Sequence, residues 1–163
     1  MSNLPKGRSA LTRLALAVFR AHQAFVADGD QFSGEWRLNS AKWKTLGAIA
    51  LAGGPITGPD IGRSMSLSRQ GAQKQLDVLM KQGLVTRLEN PAGGRAPLYQ
   101  LTAKGTRIYE QLSDAWRIRS ERLAAGLDDA ALQSAAQTLL EVVDAIGKNP
   151  QSRPKRKSSP PAF

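Results

Sequence analysis

Apolar residues along this chain recur mostly at steps of three and four, with one short alternating stretch between such runs. The first run is Leu11, Leu14, Ala15, Val18, Phe19, Ala21, His22, Phe25 and Val26. Its spacing predicts an amphipathic helix of about five turns, capped by Ser9 and ended by Asp28-Gly29-Asp30. The stripe is wide for a helix with a single neighbour. Gln31 to Leu38 is irregular and contains aromatic residues. Asn39 or Ser40 caps a second helix, Ala41 to Ala52, whose buried face is Trp43, Leu46, Ile49 and Ala50 and which stops at Gly53-Gly54-Pro55.

Thr57-Gly58-Pro59-Asp60 is a helix start, with Thr57 and Asp60 spaced for a reciprocal capping box. Pro59 fits there because first-turn N–H groups have no intrahelical partner. That helix is short, from Gly58 to about Arg63. After the turn Met65-Ser66-Leu67-Ser68, a longer helix runs to about Gln82, and Gly83 supplies a left-handed stop. It buries Ala72, Leu76 and Leu79, and turns Gln70, Lys74, Asp77 and Lys81 outward with Arg69 and Gln73 on the flanks. A short helix, a tight turn and a longer helix with a polar outer face is the helix-turn-helix pattern.

Leu84 to Leu88 and Leu98 to Leu101 then read as paired strands around the turn-rich tip Asn90 to Pro97. Thr102 caps a long helix to about Ala125, broken by Gly126. Asp128 opens a last helix to about Ile146, with the stripe Leu132, Ala135, Ala136, Leu139, Leu140, Val143 and Ile146. From Gly147 the chain is rich in Pro, Ser, Lys and Arg, a composition expected to be disordered.

Charge adds a division of labour. The chain has 163 residues and a formal charge of +10, of which residues 42–107 carry +7 and residues 148–163 carry +5, whereas residues 108–147 carry −4. The basic middle suits a polyanion and the acidic stretch a protein surface. The basic tail serves either as sequence-independent attraction to DNA or as a solubility tail. There are no cysteines and one histidine, which removes disulfides, thiolate metal sites and most nucleophile–base pairs. Gly93-Gly94 lies in a hairpin, not in a phosphate-binding loop between strand and helix. The expectation is a binding protein, not an enzyme, with no cofactor and no metal. No apolar run is long enough to span a membrane, and no secretion signal opens the chain, so a cytoplasmic, nucleoid-associated location is expected.

Helix, helix and basic-tipped hairpin follow the winged helix-turn-helix order, and the sequence resembles the MarR family of transcriptional regulators. The resemblance is carried by Ala41-Lys42-Trp43-Lys44-Thr45-Leu46-Gly47-Ala48-Ile49, by Thr57 to Arg63, and by Leu67 to Ala72. Its most specific parts are Leu79-Met80-Lys81-Gln82-Gly83-Leu84-Val85 and Leu101-Thr102-Ala103-Lys104-Gly105. It covers about Leu11 to Ile146. One departure is the wing tip. The family's D-x-R-R is here Pro91-Ala92-Gly93-Gly94-Arg95, so only Arg95 carries over.

The resemblance implies a mainly α fold with a small β-wing and long terminal helices forming a dimerisation layer. It divides the chain into an arm (1–8), a dimerisation helix and connector (9–38), a DNA-binding winged helix (39–105), dimerisation helices (106–147) and a basic tail (148–163). It implies a homodimer binding a palindromic operator on double-stranded DNA, most simply as a repressor. The DNA-facing residues would be Thr57, Ser66, Ser68, Arg69, Gln70, Gln73, Lys74 and Arg95. Gln70 and Gln73 offer a donor and an acceptor matched to adenine, and Arg69 and Lys74 reach guanine or phosphate. Thr57, Ser66 and Ser68 sit at helix starts that suit phosphate oxygens. Gly71, inside the reading helix, marks close approach either to DNA or to the first motif helix. A small aromatic or phenolic acid effector would lie near His22, Trp36, Arg37 and Trp43; the plainer roles are core packing for Trp43 and a packed histidine for His22. The alternative function is a non-specific architectural DNA binder or a protein-docking module.

Overall fold

In the computed structural model, residues 9–65, 67–91 and 96–148 are described. The expected arm, Ser66, the wing tip 92–95 and the tail from 149 onward lie outside them. Ser9 accepts from the Thr12 amide at 3.2 Å and opens α1, Ala10–Ser33. This helix does not end at Asp28-Gly29-Asp30, because Gly29 and Asp30 meet the start of the following helix. Gly29 is buried, and a Cβ there would lie 3.0 Å from the Ser40 Cβ. Asp30 instead caps the following helix, accepting from the Ser40 amide at 2.7 Å. A single 3-10 turn, Gly34–Trp36, leads to Arg37, which takes a left-handed φ of 57°.

Asn39 caps α2, Ser40–Leu51, by accepting from the Lys42 amide at 3.0 Å. Gly53, at φ +71°, ends the turn after it. β1, Ile56–Thr57, precedes α3, Gly58–Ser64, and α4 spans Arg69–Lys81 with Ser68 as its cap. β2, Val85–Leu88, and β3, Leu98–Leu101, form the expected hairpin. The sheet has three strands, not two. β1 pairs antiparallel with β3, Ile56 opposite Tyr99 and Thr57 opposite Leu98, giving the order β1-β3-β2. Two residues show no alternation, which is why this strand was invisible to a pattern of period two.

Thr102 accepts from the Gly105 amide at 3.0 Å and donates to the Gly83 carbonyl at 2.7 Å, so the cap of α5, Ala103–Ala124, is also a clamp on the end of α4. Gly105 sits where a Cβ would be 2.9 Å from the Leu84 carbonyl carbon and closer still to its oxygen. α6 is Asp129–Lys148.

The chain divides after Ala115, inside α5, into two compact units. In the first, Leu38, Leu46, Ile49, Ile61, Leu76, Leu79, Leu84, Val85, Tyr99 and Leu112 form one buried core. In the second, α6 buries no residue, and Leu132, Leu140, Val143 and Ile146 are exposed. In α1, too, only Gly29 and Ser33 are buried, while Leu11, Val18, Phe19 and Phe25 stand in solvent. Among the described residues, no helix is long and apolar enough to cross a membrane.

Candidate nucleic-acid interface

Two short helices can hold a polar face outward only if their inner faces lock together. Gly62 makes this possible. It is buried, the Leu67 amide donates to its carbonyl at 2.8 Å, and a Cβ there would crowd the Leu67 carbonyl oxygen at 3.3 Å while just touching Ala72. Ala72, Leu76 and Leu79 fill the inner face of α4 and are at most 1% exposed. The helix therefore presents Arg69, Gln70, Gln73, Lys74, Asp77 and Lys81 to solvent, as the spacing requires.

The cap of α3 is tighter than a simple box. Thr57 accepts from the Asp60 amide at 3.3 Å and donates its hydroxyl to the Asp60 carboxylate, which also pairs with Arg63. The Thr57 hydroxyl, with a smaller contribution from Arg63, holds the Asp60 carboxyl below the ordinary carboxylate range. Thr57 is thus committed to its own helix, half-buried rather than free for phosphate. Ser68 is exposed and accepts from the Gly71 amide at 3.0 Å. A Cβ on Gly71 would lie 3.1 Å from this hydroxyl, so the nearest atom to Gly71 is the cap itself rather than the first motif helix.

Gly58, Pro59, Arg69, Gln73, Ala96, Pro97 and Tyr99 enclose a cleft of about 160 Å³ between α4 and the wing. It brings two of the expected DNA-facing residues, Arg69 and Gln73, together with Ala96, Pro97 and Tyr99 at the start of β3. Gln70 and Lys74 lie on the neighbouring exposed surface of α4. Ser66 and Arg95 are outside the described residues. Three features were not anticipated as parts of this face. Arg87 is exposed on β2, and Pro97 and Tyr99 form the cleft wall. The Gln73 carboxamide donates to Asp77 at 2.8 Å. The last was legible in principle, since Gln and Asp four apart on a helix are neighbours.

The four residues expected near an effector do not form one group. Trp36 and Trp43 both pack on Phe32, with ring centroids 5.5 and 5.0 Å apart. The Trp36 indole also donates to Gln111 at 3.3 Å. Arg37 is exposed, and its carbonyl accepts from Gln82. His22 is exposed, not packed in an apolar stripe, on a part of α1 where no residue is buried. It lies ten residues before Phe32, about 15 Å along the helix axis. Among the described residues no group of acidic, His or Cys side chains is placed to hold a metal.

A model of the MarR family matches residues 38–96. The chain is 26% identical over 136 residues to the uncharacterized protein Rv2011c of Mycobacterium tuberculosis, covering 83% of this chain and 94% of that one. Its fold is similar to that of a MarR mutant from E. coli complexed with operator DNA, with a TM-score of 0.71 and 24% identity over 79% of this chain and 92% of the other. It is also similar to NadR in complex with 4-hydroxyphenylacetate, with a TM-score of 0.70 and 20% identity over 87% and 97%.

Proposed function

The chain is a MarR-family winged-helix protein, and on that premise we propose that it is a sequence-specific DNA-binding regulator acting as a homodimer on a palindromic operator. The observation that carries this reading is the solvent-facing polar surface of α4, with Arg69, Gln70, Gln73 and Lys74 beside the cleft formed with the start of β3. In the E. coli relative a similar fold is complexed with operator DNA. Gln70 and Gln73 read base edges in the major groove; Arg69 and Lys74 meet guanine or phosphate. Ser68 and Ser66 lie along the phosphates, and Arg95 reaches the adjacent backbone or minor groove; Thr57 serves the phosphate face only by capping α3. The protein binds DNA and represses from within the cytoplasm; it is not a catalyst.

The homodimer is supported by unburied apolar residues on α1 and α6. Rows such as Leu132, Leu140, Val143 and Ile146 need a partner surface to leave water. A two-fold dimer requires an inverted repeat with half-sites about one helical turn apart. An aromatic acid effector is the finer part of the proposal. NadR is seen with such a ligand, and here Trp36 and Trp43 flank Phe32 with Arg37 exposed nearby in sequence. Titration with 4-hydroxyphenylacetate, read by tryptophan fluorescence and by DNA release, tests it.

Selection from a random duplex pool tests the main reading. The expected result is one palindrome preferred over random DNA by about 10³-fold or more. Affinity should also fall about 10³–10⁵-fold between 50 and 200 mM salt if the dimer makes roughly 6–10 phosphate contacts. Tight binding without preference would make it an architectural protein. Absence of binding at low salt would make it a docking module.

A further inference from the structure

An acidic residue on a surface that faces phosphates opposes binding, so Asp77 on the outer face of α4 requires a reason. Its partner supplies one. The Gln73 amide nitrogen donates to the Asp77 carboxylate at 2.8 Å, and both residues are exposed. A carboxylate accepts and does not donate, so this contact fixes which way round the carboxamide lies. An unrestrained glutamine presents either end to a base edge. A restrained one does not.

We propose that Asp77 is a positioning residue that sets base specificity by holding Gln73 in one orientation; the inference rests on α4 being the reading helix. The Gln73 amide has two N–H bonds and one carbonyl oxygen. Asp77 takes one N–H. The remaining N–H and the oxygen are the donor and acceptor that adenine N7 and N6 require. Guanine offers two acceptors, N7 and O6, and would need both N–H bonds. The pair therefore admits adenine and refuses guanine at that step. Refusal is strengthened by the charge of Asp77, which repels guanine's acceptors directly and lowers affinity for phosphate at every sequence. Weak general affinity and strict local preference are thus two outcomes of one carboxylate.

The same kind of pair occurs outside the reading helix. On α6, Gln137 donates to Glu141 at 3.2 Å, and Gln133 to Asp129 at 2.6 Å. There the contact does no more than support a helix. This provides the control.

The test is selection from a random duplex pool with five variants beside the full-length wild type, each checked for helix content. Asp77→Asn removes the charge and frees the amide, since asparagine both donates and accepts. It should bind random DNA about fivefold more tightly at low salt, while adenine-over-guanine preference at one position per half-site falls at least about fivefold. Asp77→Glu should keep that preference. Gln73→Ala/Asp77→Asn should select no more loosely than Gln73→Ala alone, because Asp77 acts on preference through Gln73. Glu141→Gln should change neither quantity. A wild type that selects a palindrome, with Asp77→Asn selecting the same bases as strongly, overturns the positioning role and leaves the regulator reading intact. A wild type with no sequence preference overturns both.

Discussion

α4 and α6 are both amphipathic helices with apolar residues at three- and four-residue steps, and they meet opposite fates. α4 is 13 residues long and buries Ala72, Leu76 and Leu79 in its own chain. α6 is 20 residues long and buries nothing. The difference does not lie in the pattern. It lies in what each helix has to pack on. α4 has α3, the sheet and α2 within its unit; α6 leaves Leu140 and Val143 more than 60% exposed. An apolar stripe states that a helix needs a neighbour, not that its own chain supplies one.

That contrast is broken most severely from the α4 side. Leu76→Ala should cost about 3–5 kcal/mol, because Leu76 is fully buried and its loss leaves a hole in the core; urea unfolding measures it. Gly105→Ala should cost about 3 kcal/mol, since the new methyl collides with the Leu84 carbonyl. If it unfolds like wild type, the clamp between α5 and the end of α4 is softer than described. On α6, Leu140→Glu should leave urea unfolding of the isolated subunit nearly unchanged. It should weaken self-association about thirtyfold or more, the equivalent of about 2 kcal/mol, seen by sedimentation. Unaltered association would remove α6 from the dimer surface.

Smaller effects sharpen the comparison. Asp30 is held below its ordinary value near 3.8, first by the Ser40 amide, then by the Ser40 hydroxyl and by Lys44, against a small opposing effect of burial. A carboxyl lowered in the folded state adds stability that is complete above its unfolded value. That stability is lost as pH falls below about 4 and through the folded value. Asp30→Asn should cost about 0.5 kcal/mol at pH 7 and flatten the acid side of the stability curve below the ordinary carboxylate value. Gly147→Ala, with no atom within 4 Å to meet, should raise stability by at most about 1 kcal/mol.

Much of the architecture was legible in residues whose meaning is local. Thr57, Ser68 and Thr102 cap where their side chains predicted, Gly83 takes the left-handed φ expected of it, and Gly53 and Gly126, expected only to stop helices, do so with a positive φ. What escaped depended on distant partners. Gly29 looked like a stop because its reason for being glycine is Ser40, eleven residues on. β1 was missed because its partner, β3, lies more than forty residues later and only two residues pair. The candidate site divides in the same way. The outward face of α4 follows from spacing alone. The cleft with Pro97 and Tyr99, the capture of Trp36 by Gln111 and the isolation of His22 depend on tertiary packing, which no periodicity carries.

The two-residue strand before α3 has a mechanical consequence. Through Ile56 and Thr57, the start of the helix pair is stitched to the central strand of the hairpin. Tilting the flap therefore drags the foot of α3 with it. The strand pair and the start of α3 thus move as one piece, since they share the same backbone ladder.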